Sequence, residues 1–499
     1  MGEQSGFDLL ARKRKAALDR GSGGQNESKD TDSKLTATER IMRLVDTHSF
    51  VETQALAEYS AAADGLKQVS EPGEGVVTGF GTIDGRGVYV FSQDYTVLGG
   101  SVGYMHARKI IKLLDMAGKT GLPVIGLLDS MGARIGEGSA VMESFGKIIA
   151  KLSELSGVVP VITAICGQCS GTAAYFAPLS DFVFMTENIS GIYTAAPGAY
   201  NKPGQPADTQ TAGGAAMHAR QTGLAHFLCP NENDLFCYIR QILSYLPDNN
   251  LSEAPVFECA DDLNRRLEDF RKPYDMRDVV SSVLDGGDFF ESQACYAPAV
   301  ITGFGRINGK SIGVIANSSG LHINGESCSK AAGFISFCDA FGIPIVTFSD
   351  TPGFEKNAFN IKSGANLMRA YSEATVPLVT VITGDAIGAG YIAMASKALG
   401  ADMVFAWPDA VISCLPADAA SIIVLSDAFP ETDSPSDARK QAAERYAKTF
   451  ASPWEAAKLG YVDEVIYPSE TRQRVAGALE FAAGKRESKL PKKHGTRLY

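Results

Sequence analysis

Two stretches of this chain combine residue types suited to stabilising a negative charge as it forms. One is VVPVITAICGQCSGTAAY at Val158–Tyr175, and the other is TVPLVTVITGDAIGAGY at Thr375–Tyr391. Each opens with an apolar run rich in β-branched residues, which reads as a buried strand, Val158 to Ile165 in the first case. Each then breaks into small residues: Gly167, Ser170, Gly171, Thr172, Ala173 and Ala174 in the first, Gly384, Gly388, Ala389 and Gly390 in the second. A strand that stops on glycines ahead of an alanine-rich, helix-favouring segment leaves unpaired N–H groups at a helix start. Those groups and the helix dipole attract an anion. Two such turns on one chain imply two anion-stabilising pockets built from backbone donors.

Side-chain chemistry offers rivals. Gly167-Gln-Cys169-Ser-Gly171 has the outline of a nucleophile elbow. Cys169 would then be a thiol nucleophile with His218 or His226 as its base, although the second stretch holds no equivalent cysteine. Cys166 and Cys169 form a C-x-x-C with no second pair or histidine at zinc spacing, so no metal is expected. Gly171 and Gly388 could also be close-packing glycines where a helix meets a strand. Asp129 and Asp350 end apolar runs and are expected to cap the turns that follow. His106 and His322 read as ordinary polar residues.

An internal repeat positions these turns. Val77-Thr-Gly-Phe-Gly81 returns as Ile301-Thr-Gly-Phe-Gly305, an offset of 301 − 77 = 224. Gly121-Leu-Pro-Val-Ile, running to Asp129, returns as Gly342-Ile-Pro-Ile-Val, running to Asp350, an offset of 221. Val159-Pro-Val-Ile-Thr163 returns as Val376-Pro-Leu-Val-Thr380, an offset of 217. Near-constant offsets in unchanged order mean two copies of one domain, with Pro247–Tyr274 expected to link them. Within the first copy, the residues around Asp84-Gly85 predict a hairpin. Apolar spacing predicts helices over Ser101–Gly118 and Ala140–Leu155, with a buried strand over Leu122–Leu128 between them. Thr36 with Glu39 forms a capping box ahead of the first apolar turn. This β-β-α order points to an α/β fold of stacked spiral units, with the chemistry at strand ends.

Composition sets bounds. The 499 residues are 45% hydrophobic and 21% charged, ordinary for a globular protein. A net charge of −11 argues against a general nucleic-acid or anionic-membrane surface. The nine cysteines lie mostly in apolar runs, as small buried hydrophobes do. With no signal peptide evident, they favour a reducing, cytoplasmic setting. No apolar run approaches the roughly 20 residues of a membrane helix. Residues 1–32 begin with a basic stretch, Leu9–Arg20, and continue as a polar GSGGQNESKDTDS segment expected to be a flexible tail.

The ordered motifs KLTATERI (34–41), FSQDYTVLGGSVG (91–103), DSMGARIGEG (129–138), GQCSGTAAY (167–175), GGAAMHARQTGLAH (213–226), FCDAFGIPIVTFSDTPGF (337–354), EATVPLVTVITGDAIGAGY (373–391) and FAWPDAVI (405–412) resemble a known family. It is that of the carboxyltransferase subunits of biotin-dependent acyl-CoA carboxylases, propionyl-CoA carboxylase β chains among them, and of the related acyl-CoA decarboxylases. The resemblance implies two tandem crotonase-like (ClpP/crotonase) domains, 33–265 for acyl-CoA and 266–499 for biotin. It implies transfer of a carboxyl group between carboxybiotin and the α-carbon of a short acyl-CoA. The alternatives are the α subunit of a decarboxylase of the methylmalonyl- or glutaconyl-CoA type, and a non-catalytic CoA-binding assembly subunit.

By the same resemblance, an enolate oxygen would meet the N–H groups of Gly171 and Thr172, and a ureido oxygen those of Ala389 and Gly390. One such donor is worth about 3–4 kcal/mol. Gly132, Ala133, Arg134 and Ile135 would bind CoA, with Arg134 either reaching its phosphates or forming an ion pair. Gly353, Phe354 and Gly388 would bind biotin. Biotin would arrive on a partner chain, since this chain contains neither the Ala-Met-Lys-Met biotinylation motif nor an ATP-grasp region. Partners would be a biotin carboxyl carrier and biotin carboxylase (or decarboxylase subunits), and the chain would pair with itself as a dimer or a hexameric trimer of dimers. The sequence departs from the family pattern at Ser130-Met131, at Thr172, and in shorter Asn317–His322 and Glu355–Ser363 segments.

Overall fold

A computed structural model describes residues 6–18, 34–58, 72–200, 208–424, 435–493 and 495–496. The GSGGQNESKDTDS segment lies outside them, whereas part of the basic stretch before it is an exposed helix, Gly6–Leu18. The chain divides into two compact units, Met1–Ser252 and Glu253–Tyr499. The sequence placed this division after residue 265. It falls earlier because residues 253–265 pack with the second unit: the Phe257 N–H donates to Gly309 O at 3.0 Å, and Leu263 packs against that unit's core.

The first unit is built on one sheet. Its strands are β1 (Val51–Thr53), β2 (Val76–Ile83), β3 (Arg86–Gln93), β4 (Val124–Ser130), β5 (Val161–Ser170), β6 (Phe182–Thr186), β7 (Gly191–Tyr193) and β8 (Phe227–Cys229). They run in the order β1-β2-β3-β4-β5-β6-β8, with β7 paired to the end of β5. β2 and β3 form the expected hairpin. Its two turn residues, Asp84 and Gly85, have φ of +50° and +79°, the double positive φ that a tight hairpin turn needs. Asp46 accepts from both turn N–H groups, at 3.0 and 2.9 Å.

From β3 onward the pairing is parallel, so each strand returns through a helix. Tyr104–Thr120 buries Ala107, Ile110, Leu113, Leu114 and Ala117, and Ala140–Leu155 buries Val141, Phe145, Ile148 and Leu152. Both lists repeat every three or four residues, the spacing of one helix face. Each large side chain removed from water here stabilises the unit by about 1.5–3 kcal/mol. The capping box of Thr36 and Glu39 is present at the helix Ala37–Leu44.

The second unit repeats the plan with β9 (Phe290–Ser292), β10 (Val300–Ile307), β11 (Lys310–Asn317), β12 (Ile345–Thr351), β13 (Leu378–Ile387), β14 (Met403–Ala406), β15 (Val411–Ser413) and β16 (Glu464–Val465). The order is β16-β14-β13-β12-β11-β10-β9, and β15 sits on the end of β13 as β7 does on β5. Even the hairpin support recurs, with Asp285 accepting from Asn308 and Gly309 at 3.2 and 2.8 Å.

Candidate active site

The first expectation to change is where the strands end. β5 does not stop near Ile165 but runs through Cys166-Gly-Gln-Cys-Ser to Ser170, and β13 runs through Gly384 to Ile387. Gly167 and Gly384 are therefore strand residues and not turns. Each lies in a register shift. β4 pairs Leu128 with Ile165 and then Ser130 with Cys169, so Asp129 alone faces Cys166, Gly167 and Gln168. β12 pairs Ser349 with Ile382 and then Thr351 with Ala386, so Asp350 alone faces Thr383, Gly384 and Asp385. A Cβ on Gly167 would collide with Asp129 Oδ1 and Lys34 Nζ, and one on Gly384 with Asp350 Oδ1 and the Lys272 side chain. Both glycines are there to make room.

Beyond each bulge the two strands part into a cradle. On one side stands Gly171, φ +62°, matched by Gly388 at +58°. On the other stands Gly132, φ +102°, matched by Gly353 at +109°. Ser130 Oγ accepts from Gly132 N at 3.1 Å, and Thr351 Oγ1 accepts from Gly353 N at 3.2 Å. The sides approach closely: a Cβ on Gly132 would lie 2.8 Å from Ser170 O, and one on Gly353 3.2 Å from Ile387 O. Each cradle is further pinned by an isolated bridge. Val102 N donates to Gly132 O at 2.8 Å and Arg134 N to Val102 O at 3.0 Å. Ile323 N donates to Gly353 O and Glu355 N to Ile323 O, both at 2.9 Å.

The helices that begin at the cradles are shorter or tighter than the sequence implied. Gly171–Leu179 is a 3₁₀-helix with Pro178 inside it, and Ala389–Ala393 is a five-residue α-helix. An anion placed there would meet the first N–H groups, which have no intrahelical acceptor, and only a short dipole. Thr172 is half-buried, Ala389 is exposed, and Gly390 is buried with no room for a side chain: its Cβ would meet Gly353 Cα at 2.9 Å. Gly388 N is already committed to Ser413 O at 2.7 Å, which holds the turn open. In both units backbone groups thus dominate the cradle lining.

Arg134 is not presented as a free charge. Its guanidinium ion-pairs with the fully buried Glu74 and with Glu137, and donates to Glu74 O and Ser101 O at 3.1 and 3.0 Å. Glu137 in turn accepts from Tyr104 N at 2.6 Å, capping a helix that has no cap of its own. Of the expected CoA-side set, Gly132 shapes the cradle, Ala133 makes the bridge, Arg134 clamps the loop, and Ile135 is left 87% exposed. In the second unit Phe354 is half-buried against Gly364.

The thiol hydrolase does not survive. Cys169 and Cys166 are fully buried, and burial pushes both thiols up to about 12. His218 is tied to Ile192 O and Thr222 Oγ1, each at 3.0 Å, and His226 Nδ1 accepts from Val183 N at 3.1 Å. His106 is buried. It donates from Nδ1 to Glu74 O at 2.9 Å and accepts on Nε2 from Gln93 at 3.3 Å. Desolvation, with the nearby charge of Arg134, pushes it down to about 3. Among the described residues no group of His, Cys, Asp and Glu is placed to hold a metal ion.

Sequence reasoning missed the residues that surround the two aspartates. Asp129 takes Lys34 at 2.7 Å and Arg40 at 2.9 Å, and Arg40 also donates to Cys166 O at 2.8 Å and Glu232 at 2.7 Å. Asp350 takes Lys272 at 2.8 Å, Tyr274 at 3.0 Å, Ser319 at 2.6 Å and the Asp385 N–H at 2.8 Å. The two lysines are 272 − 34 = 238 apart, outside the 217–224 offsets, so the repeat did not pair them.

Comparison with known proteins gives a consistent result. The model of the carboxyl transferase domain matches residues 29–497. The chain is 42% identical to the methylmalonyl-CoA decarboxylase subunit alpha of Veillonella parvula, covering 96% of this chain and 97% of that one. It is 42% identical to the propionyl-CoA carboxylase carboxyltransferase subunit of Haloferax mediterranei, covering 98% of each. Among solved structures it is similar to a transcarboxylase 12S crystal structure described as a hexamer with methylmalonyl-coenzyme A and methylmalonic acid bound. The TM-score is 0.94 at 36% identity, covering 100% of both chains.

Proposed function

The chain belongs to the carboxyl transferase domain family and is a biotin-dependent acyl-CoA carboxyltransferase with two crotonase-like domains, and we propose that it moves a carboxyl group between carboxybiotin and the α-carbon of a short acyl-CoA. The duplicated cradle carries this reading. Two anionic oxygens must be stabilised in such a transfer, one on the thioester and one on the ureido group, and each unit holds one cradle of backbone donors. Gly171 and Thr172 serve the thioester oxygen, with Gly132 forming the opposite side. Ala389 and Gly390 serve the ureido oxygen, with Gly353, Phe354 and Gly388 around them. Preorganised donors of this kind cost no reorganisation as charge develops. Biotin, held on a partner chain, supplies the nitrogen that carries the carboxyl group. Gly390, whose Cβ would meet Gly353 Cα at 2.9 Å, lets the two sides of the second cradle come together.

The acyl group is propionyl or methylmalonyl, by the names of the relatives. Methylmalonyl decarboxylation is the second reading, favoured by identity equal to that with the carboxylase. The same cradles serve it, with the carboxyl group leaving the acyl-CoA for biotin. The non-catalytic reading is disfavoured because both cradles keep matched geometry despite the shortened loops. Partners are a biotin carrier protein and either a biotin carboxylase or the remaining decarboxylase subunits. The chain itself forms a dimer or a trimer of dimers, as a cytoplasmic enzyme.

Transfer of labelled carboxyl from a panel of malonyl-type CoA esters to free biotin tests the proposal. Turnover with methylmalonyl-CoA preferred is the expected result. No turnover with any ester would sink it.

A further inference from the structure

In both units one buried aspartate sits where the two sides of the cradle begin to diverge. Asp129 and Asp350 are 1% and 0% exposed. Each is the single residue of its strand that opposes three on the next, so its carboxylate fills the gap left by the lost ladder bonds. Three residues on from the aspartate lies the positive-φ glycine of one side, Gly132 or Gly353. Four residues on from the room-making glycine lies that of the other, Gly171 or Gly388.

The groups around the carboxylate correspond in role although they differ in kind. The aspartate N–H donates to a side-chain amide on the preceding strand, to Gln93 at 3.1 Å or Asn317 at 3.3 Å. Arg40 reaches Asp129 and the bulge carbonyl of Cys166, and Tyr274 reaches Asp350 at 3.0 Å and the bulge carbonyl of Thr383 at 3.1 Å. A lysine from outside the sheet closes each cluster: Lys34, which also lies 4.7 Å over the Tyr95 ring, and Lys272, which also meets Asp385 at 3.2 Å. Lys272 is the ion-paired cation of Asp350 among the described residues, whereas Lys34 shares Asp129 with Arg40. A buried carboxylate that loses such a cation loses interaction that offsets its desolvation, and it must shift or protonate. Either change moves the vertex from which both sides of the cradle extend.

We infer that Lys34 and Lys272, with Tyr274, are positioning residues: each cluster sets the spacing of its own unit's cradle and so governs one substrate only, the acyl-CoA for Lys34 and biotin for Lys272 and Tyr274. The inference rests on the functional reading above, and it adds to that reading residues that touch neither substrate.

The test is steady-state carboxyl transfer by the full-length chain, with methylmalonyl-CoA and free biotin each varied, for wild type and the variants Lys34→Met, Lys272→Met, Lys272→Arg and Tyr274→Phe. Sedimentation and thermal melts establish that each variant is folded and assembled. Tyr274→Phe removes one hydroxyl and keeps the ring against Trp407, which provides a second probe if Lys272→Met fails to fold. A substrate that loses about one hydrogen bond's worth of binding in a displaced cradle should show its KM raised by up to roughly tenfold. Lys34→Met should raise the KM for methylmalonyl-CoA and leave that for biotin unchanged. Lys272→Met and Tyr274→Phe should do the reverse, and Lys272→Arg should restore the biotin KM. Both KM values unchanged in folded variants, or both raised together by each variant, would overturn the inference while leaving the function intact. A wild-type chain that transfers nothing would overturn both.

Discussion

Tyr274 does with one hydroxyl in the second unit what Arg40 does with a guanidinium in the first. Each spans a buried aspartate and a backbone carbonyl within the register shift, Thr383 O for Tyr274 and Cys166 O for Arg40. Arg40 satisfies the two acceptors with separate N–H groups and has a third for Glu232. Tyr274 must share one proton between two oxygens, and Ser319 supplies the further donor to Asp350. Burial, with the charge of Asp350 beside it, holds the phenol above its ordinary pKa, so it remains a donor at any physiological pH. The same architectural need is met by different chemistry.

Removing a backbone donor should be far more damaging than altering the side chain that carries it. Thr172→Gly and Ala389→Gly should keep turnover within about tenfold, the loss coming from added chain freedom. Ala389→Pro deletes one N–H and should reduce kcat by roughly a hundred- to a thousandfold, the usual effect of losing one oxyanion donor. Ala389 is exposed at the first position of its helix, where proline is tolerated. Near wild-type carboxyl transfer by a folded Ala389→Pro chain would end the two-cradle mechanism.

The two glycines of the first cradle should respond differently to alanine. Gly171 has positive φ but open space at its Cβ, so Gly171→Ala carries only the backbone cost of about 1–2 kcal/mol. Gly132 combines φ +102° with a Cβ position 2.8 Å from Ser170 O, so Gly132→Ala must also push the sides apart. The measurement is kcat/KM for methylmalonyl-CoA, with Gly132→Ala the lower of the two. Equal values, or the opposite order, would mean that the spacing of the sides is not what the substrate feels.

Thiol chemistry should be silent. Iodoacetamide at pH 8 should modify the exposed Cys237, Cys295 and Cys414 in the native protein and spare Cys166 and Cys169. Cys169→Ala should keep at least about a third of wild-type turnover, since what it loses is packing and not a nucleophile. Loss of all turnover in a folded Cys169→Ala chain would revive the nucleophile elbow.

Asp181 should make the protein less stable as pH rises. Its carboxylate accepts from Val161 N at 2.8 Å, and it has no ion pair among the described residues, whereas Asp402 at the matching place in the second unit has Lys485 at 2.9 Å. Burial pushes Asp181 up to about 7 from an ordinary 3.8. Between those values the unfolded chain gives up the proton and the folded chain keeps it. Stability therefore falls as pH rises from about 4 to about 7, by at most about 1.4 kcal/mol per pH unit. Asp181→Asn keeps an acceptor for Val161 and should raise the urea midpoint at pH 8, with little gain at pH 4. A lower midpoint at pH 8 would contradict the assignment.

The amino-acid sequence by itself determined the repeat, the hairpin, the helix faces and, on one side of each cradle, Gly171 and Gly388. These follow from local rules: a two-residue turn needs positive φ at Asp84 and Gly85, and a helix face repeats every three or four residues along Ala140–Leu155. Gly171 and Gly388 stood out because each follows a β-branched apolar run and precedes a helix-favouring segment, and the positive φ of both is what glycine there permits. Tertiary structure alone decided what Gly167 and Gly384 are for, since the carboxylates that need their space come from the neighbouring strand. It alone turned Arg134 inward to Glu74, and brought Lys34 to Asp129 and Lys272 to Asp350 across 95 and 78 residues of chain. Backbone geometry is written in neighbouring residues. The choice of partner for a buried charge is set by which distant groups the fold encloses with it, because in a low-dielectric interior that charge must be met by whatever lies within reach.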